Sequence, residues 1–209
     1  MLTQSLLKII AMVTMLIDHI GMILFPDIAI LRIIGRLAFP IFAYCIAEGL
    51  TYTRDKQKYL QRILLCALSF QVVSLVFTQA FVPSVVWGYA AAVGFALLRD
   101  RLPKHSPVLL LYSIGVSAVL LLLKAEFLCF GYLLPVTFYL PKKKWMRFTM
   151  AGLQLLFLGL LYQHQLWALA ALPILMAYNE QRGRLKIGKF LYWFYPLHYL
   201  VLGILALLI

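Results

Sequence analysis

Apolar residues dominate this chain in long runs broken by short polar stops. The stops define nine segments, at about 5 to 25, 28 to 52, 61 to 81, 84 to 99, 107 to 124, 126 to 141, 148 to 162, 165 to 180 and 188 to 208. Breakers stand at Pro26-Asp27, Val82-Pro83-Ser84, Arg99 to Pro107, Pro141-Lys142-Lys143-Lys144 and Asn179 to Lys189. Runs of this length, nearly free of charge, predict helices solvated by lipid. The expected fold is an all-α, polytopic integral membrane helical bundle, one domain over residues 1–209 with about nine transmembrane helices and a range of eight to ten. The first run is longer than the apolar stretch of a cleavable signal peptide and lacks a small-residue cleavage pattern, so it is expected to remain as the first helix.

Composition sharpens this picture. With 64% hydrophobic and 12% charged residues and a mean hydropathy of +0.94, the chain is far from the composition of a water-soluble domain. Lys and Arg number 19 against 7 Asp and Glu, a net charge of +12 that could signal nucleic acid or membrane orientation. Placement decides for orientation. With a cytoplasmic N-terminus, Lys8 and the alternate loops holding Arg54, Lys56, Lys58, Arg62, Arg99, Arg101, Lys104, Lys142, Lys143, Lys144, Arg147, Arg182, Arg184, Lys186 and Lys189 account for 16 of the 19 cations. The remaining three are Lys124, on the outer side, and Arg32 and Arg36, inside the second segment. The expectation is a multi-pass protein of the cell's inner membrane, N-terminus inside, with the lipid bilayer and no nucleic acid as partner. Cys45, Cys66 and Cys129 lie inside apolar runs without paired spacing, which fits small core residues and indicates neither a disulfide framework nor a metal site.

Candidate chemistry lies where the membrane holds costly side chains. A charge at bilayer depth costs about 2.5–3.5 kcal/mol on insertion scales, which singles out Asp18, Arg32 and Arg36. If the first two segments form an antiparallel hairpin turning near Pro26-Asp27, residues whose numbers sum to about 53 share a depth, and Asp18 falls level with Gly35 and Arg36. An Asp18–Arg36 ion pair is therefore expected. Arg32 is one turn away on the same face, where two guanidinium groups repel unless an anion lies between them. Pro40 is expected to kink the helix beside this cluster.

Lys8 and His19 are eleven residues apart, which on a helix leaves them on one face and roughly 16 Å apart along the axis. That span is of the order of a phosphopantetheine arm, so a coenzyme A held at Lys8 could bring its thioester to the imidazole. His198 and Gln71 are expected near mid-membrane. Glu48 is expected near the cytoplasmic end of the second segment, either paired with Lys8 or Arg54 or functional. Glu126 and His164 read as solvated turns.

Leu16-Ile17-Asp18-His19-Ile20-Gly21, the run Arg32 to Ala43 and Glu48-Gly49 resemble the TraX family. Tyr59 with Arg62, Tyr178-Asn179 with Arg182-Gly183, and Phe194-Tyr195-Pro196-Leu197-His198 extend the likeness across nearly the whole chain. Val72 and Val73, and the stretch Phe127 to Tyr132, depart from the family pattern. The family is named for a protein that acetylates the N-terminus of F-type pilin. It is related to membrane acyltransferases with a basic residue, ten intervening positions and a histidine in an early helix, as in Lys8 and His19. The resemblance implies an acyltransferase that moves acetyl from cytoplasmic acetyl-CoA to an amine or hydroxyl acceptor, which could be a pilin, another envelope protein, a glycan or a small molecule. His19 would be the base or acyl carrier, Arg32 and Arg36 would stabilise the oxyanion, and Asp18 would hold Arg36. Lys8 and neighbouring loop cations would bind the donor's phosphates, while Glu48, Gln71 and His198 would support substrate or histidine. The competing expectations are a small transporter with an Asp/His/Arg relay, and an envelope-assembly scaffold.

Overall fold

The computed structural model describes residues 2–103, 105–185 and 187–208, the side chain of Lys189 excepted. Lys104 and Lys186, counted above among the loop cations, lie outside the described residues. All nine apolar segments are helical. In chain order the helices are α1 (Gln4–Ile23), α2 (Ala29–Gly35), α3 (Ala38–Tyr52), α4 (Lys56–Thr78), α5 (Val85–Arg101), α6 (Pro107–Leu122), α7 (Phe130–Tyr139), α8 (Lys144–Leu161), a 3₁₀ stretch at Gln163–Ala170 running into α9 (Ala171–Met176), and α10 (Gly188–Leu208). The second segment is thus divided into α2 and α3, and the eighth is half 3₁₀. Strand-like pairing among the described residues is confined to a single parallel bridge between Leu2 and Tyr178.

The division of the second segment has a covalent cause. Pro40 has no N–H to give to the carbonyl of Arg36, and the backbone tightens there, with Arg36 N–H bonded to Ile33 O at 3.2 Å and Leu37 N–H to Ile34 O at 3.3 Å. The expected kink is therefore a break four residues ahead of the proline. Helix α4 starts five residues earlier than its apolar run because Asp55 caps it, its carboxylate accepting from Lys58 N–H at 2.9 Å.

Four helical spans are long and apolar enough to cross a membrane among the described residues: Gln4–Ile23, Ala29–Tyr52, Lys56–Thr78 and Phe190–Leu208. The others are shorter, as with the 10 residues of α7, or carry charge at one end, as with Lys144 and Arg147 of α8. Helix α6 is apolar on every side and leaves Leu110, Leu111, Ile114 and Leu122 more than half exposed, the surface of a helix solvated by hydrocarbon. The chain is a multi-pass membrane protein.

Contacts between loops show that the basic turns share one end of the bundle. Lys56 Nζ lies 2.7 Å from Asp100 and 3.2 Å from the Tyr139 hydroxyl, Arg99 covers the Tyr139 ring at 5.3 Å, and Lys144 meets Glu180 at 3.8 Å. At the opposite end the loop before α5 meets the loop before α7, through Glu126 N–H to Pro83 O at 2.9 Å.

The core is filled by side chains with no exposed surface, among them Leu7, Ile41, Val93, Leu134, Leu158 and Leu175. Where α5 crosses α7 the backbones themselves touch. A Cβ added at Gly88 would lie 2.6 Å from the carbonyl carbon of Gly131 and 2.8 Å from Tyr132 N, so only glycine fits this crossing. Gly115, by contrast, has nothing within 4 Å of an added Cβ. Gly88→Ala is expected to cost about 1–3 kcal/mol through this backbone clash, and Gly115→Ala to be neutral or slightly stabilising. Thermal melts of the two variants in one detergent check the contrast.

Candidate functional site

The site lies where α1, α2, α4 and α10 converge, and its first part is an ion cluster. Asp18 Oδ2 accepts from Arg32 Nη1 at 2.8 Å, Asp18 Oδ1 accepts from Arg36 Nη2, and Arg32 Nη1 also donates to the Asp18 carbonyl at 3.0 Å. The expected Asp18–Arg36 pair is present, and the anion between the two guanidinium groups is Asp18 itself. Gly35 makes this possible, because a Cβ there would collide with the Asp18 side chain. Arg36 is fixed further by donating Nε–H to Arg32 O at 3.1 Å and by lying 6.0 Å from the centre of the Phe127 ring.

Glu126 corrects the sequence reading. It is turned inward, not solvated: its carboxylate accepts from Val85 N–H at 3.1 Å at the start of α5, and it faces Arg32 and Arg36 across the cluster. Left-handed backbone at Lys124, Phe127 and Leu128 folds its loop back under the bundle. His164 is exposed, as a solvated turn requires.

The second part is a pair of imidazoles. Next to Asp18 but around the helix from it, His19 points at α10, where its Nδ1 lies 2.5 Å from His198 Nε2. The rings are coplanar within 3° with centroids 4.8 Å apart, the geometry of two rings joined nitrogen to nitrogen in their common plane. His198 Nδ1 lies 2.7 Å from Phe194 O, which can only accept. The tautomers follow from that carbonyl: His198 carries its proton on Nδ1, so its Nε2 accepts, so His19 donates from Nδ1 and bears its lone pair on Nε2. Phe70 lies 6.4 Å from the His19 ring on its face, and Tyr199 meets it edge-on at 5.3 Å. The sequence placed His198 in mid-membrane, and the family resemblance offered it as a supporting partner; the direct nitrogen-to-nitrogen contact with His19 is what the structure adds.

The third part is a path from the basic end. Lys8, Arg62, Arg182 and Arg184 ring a polar mouth of about 460 Å³ that also contains Glu48. The strand of loop bearing Arg182 is tied to the start of α1 by Gln4 N–H to Gln181 O at 2.8 Å, Ser5 N–H to Arg182 O at 3.2 Å and the Ser5 hydroxyl, 2.8 Å from Arg182 O. Glu48 is paired with neither Lys8 nor Arg54. It accepts from the Tyr178 hydroxyl at 2.9 Å. Through Lys8, Gly49, Tyr59 and Tyr192, walls common to both, the mouth narrows into an apolar throat of about 140 Å³ between α1, α3, α4 and α10. Cys45 and Cys66 line the throat, and Tyr89 and Tyr195 close its inner end. Tyr195 packs on Phe70 at 4.6 Å and edge-on to His198 at 6.0 Å, so one aromatic layer separates the throat from the histidine pair.

Gln71 follows Phe70 on α4, where its Oε1 accepts from Trp87 Nε1 at 3.3 Å. Among the described residues no three His, Cys, Asp or Glu side chains converge as metal ligands would. Sequence reasoning missed Tyr89, carried Tyr195 only as part of the family likeness, and grouped the mouth arginines with the loop cations around Lys8 without naming which of them meet. The signal for Tyr195 was its place three residues before His198, one helical turn away.

A helical membrane bundle with a buried ion triad, a histidine pair and a throat from its basic end defines an integral membrane protein with an enclosed polar centre. The TraX protein family matches residues 3–206, and the chain belongs to that family. It is 40% identical over 78 residues to an uncharacterized protein of Rickettsia prowazekii (strain Madrid E), covering 37% of this chain and 29% of that one. A probable fimbrial assembly protein, FimC of serogroup H1 from Dichelobacter nodosus, is 37% identical over 62 residues, 28% of this chain and 25% of the relative. The matched part thus spans under a third of either relative. No solved structure matches.

Removing the Asp18 carboxylate leaves two guanidinium groups facing each other in an apolar interior. Asp18→Ala is expected to destabilise by about 3–5 kcal/mol, the cost of breaking a buried ion pair from one side, and Asp18→Ala with Arg36→Met to recover part of that loss. Denaturant melts of the single and double variants measure the coupling.

Proposed function

We propose that this protein is a membrane acetyltransferase that carries acetyl from cytoplasmic acetyl-CoA to an amine or hydroxyl acceptor at or across the inner membrane. The observation that carries this reading is the run of mouth, throat and histidine pair along α1. Four cations at the mouth suit the phosphates of coenzyme A, with charge-assisted hydrogen bonds from Lys8 and the arginines. The apolar throat suits the pantetheine arm, and Lys8 and His19, eleven residues apart on α1, are separated by about its length.

His19 acts as general base in this proposal. Its Nε2 takes the proton of the acceptor amine or hydroxyl as that atom attacks the acetyl carbonyl, and the C–S bond breaks to release the thiol. His198 fixes the His19 tautomer and accepts part of the positive charge, which Phe194 O in turn stabilises. Tyr195 must swing aside for the thioester to arrive. Arg36 and Arg32, locked by Asp18, provide fixed positive charge near the developing oxyanion. Glu48 and Gln71 serve the donor and acceptor sides respectively. A cytoplasmic N-terminus puts the mouth on the side where acetyl-CoA is made, and the gathering of basic loops at that end supports this orientation. Nine crossings, with the bilayer thinned around the shorter helices, give a single acyltransferase domain. Membership of the TraX family and the printed name of the fimbrial relative support a pilin N-terminus or another envelope component as the acceptor. The relay reading fits less well, because an ion path onward from the throat would have to pass Phe70, Tyr195 and Tyr199.

Purified protein in nanodiscs should consume labelled acetyl-CoA. His19→Ala is expected to lower kcat by about 10²–10⁴ without raising the donor KM, the range typical of losing a general base. Lys8→Ala is expected to raise the donor KM roughly tenfold with kcat nearly unchanged, about 1.4 kcal/mol of lost phosphate binding. Initial-rate kinetics separate the two, and equal rates in wild type and both variants overturn the proposal.

A further inference from the structure

Two walls of the polar mouth have a chemistry that phosphates do not call for: the carboxylate of Glu48 and the phenol ring of Tyr52. They lie four residues apart on α3, which puts them about one turn apart on the same face of that helix. Tyr52 ends α3 and is 54% exposed. A tyrosine at the end of a membrane helix ordinarily turns its ring to the lipid headgroups, whereas this one borders the mouth together with Thr53, Arg62 and Arg184. An aromatic face open to a cationic cavity is a platform for another flat ring.

Glu48 supplies an edge contact for such a ring. Its side chain is held by the Tyr178 hydroxyl, which donates to Oε2 at 2.9 Å, and Oε1 has no hydrogen-bond partner among the described residues. None of the four mouth cations forms an ion pair with it, although all of them share its cavity. A carboxylate only accepts hydrogen bonds, so in a mouth that binds phosphates it is suited to an N–H of the same ligand.

We infer that Tyr52 and Glu48 form a base site for the adenine of coenzyme A, the ring stacked on Tyr52 and its exocyclic amine donating to Glu48 Oε1. This inference rests on the acetyltransferase reading and assigns the part of the donor that the mouth cations and the throat leave unplaced. The carboxylate also chooses the base. Adenine presents an amine at the edge where hypoxanthine presents a carbonyl oxygen, which Glu48 repels. The donor is accordingly a nucleotide thioester, and a pantetheine thioester borne on a carrier protein, having no base, is bound less well.

The test uses the whole protein in nanodiscs and compares three donors by initial rates: acetyl-CoA, its hypoxanthine analogue, and S-acetyl-4′-phosphopantetheine, which has no nucleotide. Wild type is expected to show a KM for acetyl-CoA at least tenfold below that for either of the others. Tyr52→Ala is expected to raise the acetyl-CoA KM about tenfold at unchanged kcat while the phosphopantetheine donor keeps its wild-type KM, and Tyr52→Phe to restore tight binding. Glu48→Ala is expected to abolish the preference for adenine over hypoxanthine, a contact that the wild-type comparison reads without any substitution. Calorimetry with adenosine 3′,5′-bisphosphate should show binding to wild type that weakens about tenfold in Tyr52→Ala, which reads the base site apart from turnover. Equal KM values for the three donors in wild type, or a Tyr52→Ala variant that raises all three alike, overturn the inference and leave the acetyltransferase reading standing. Binding of the bisphosphate that depends on Tyr52 in a protein that consumes no acetyl-CoA overturns that reading alone, and absence of both binding and consumption overturns both.

Discussion

One carboxylate organises the centre of this molecule. Asp18 has two arginines within bonding distance, and all three side chains belong to a hairpin of apolar helices, where an unmatched charge is far more costly than in water. Satisfying them fixes the register of α1 against α2, requires glycine at position 35 and holds Arg36 at the point where the backbone breaks ahead of Pro40. The same register carries His19 to α10. Because adjacent residues on a helix diverge by about 100°, Asp18 and His19 serve different neighbours, and the ion triad can position the imidazole without touching it.

The histidine pair then depends on a backbone atom. Phe194 O accepts from His198, and the direction of every proton in the pair follows from that one acceptor. Neither imidazole has a carboxylate partner. A carbonyl can orient a ring and soften its charge, yet it cannot take the proton, so the pair keeps its basic lone pair on the outermost nitrogen, His19 Nε2.

How much of this was legible in the sequence depends on the range of the interaction. Helix segments follow from local apolar runs, and equal depth in a hairpin follows from counting about a turn, which is why Asp18 and Arg36 could be matched beforehand. The partnership of His19 with His198 spans 179 residues and depends on α1 packing against α10, which no local pattern encodes. Glu126 misled for a different reason. Its loop turns inward through left-handed Lys124, Phe127 and Leu128, residue types that give no warning of such backbone. Helix length was also overread, since apolar runs continue through the turns that end α6 and α7. The mouth combines the early α1 with a loop near residue 182, and each half taken alone looks like an ordinary basic turn.

The aromatic layer at the inner end of the throat has a consequence for the cell as well as for the site. Two imidazoles in the middle of a bilayer, reached by water from one face, are half of a proton wire, and a membrane that stores energy as an ion gradient cannot tolerate the other half. Phe70 and Tyr195 keep the water column away from the nitrogens. A layer of rings at that place is what an interior of imidazoles needs if the surrounding membrane is to keep its ion gradient.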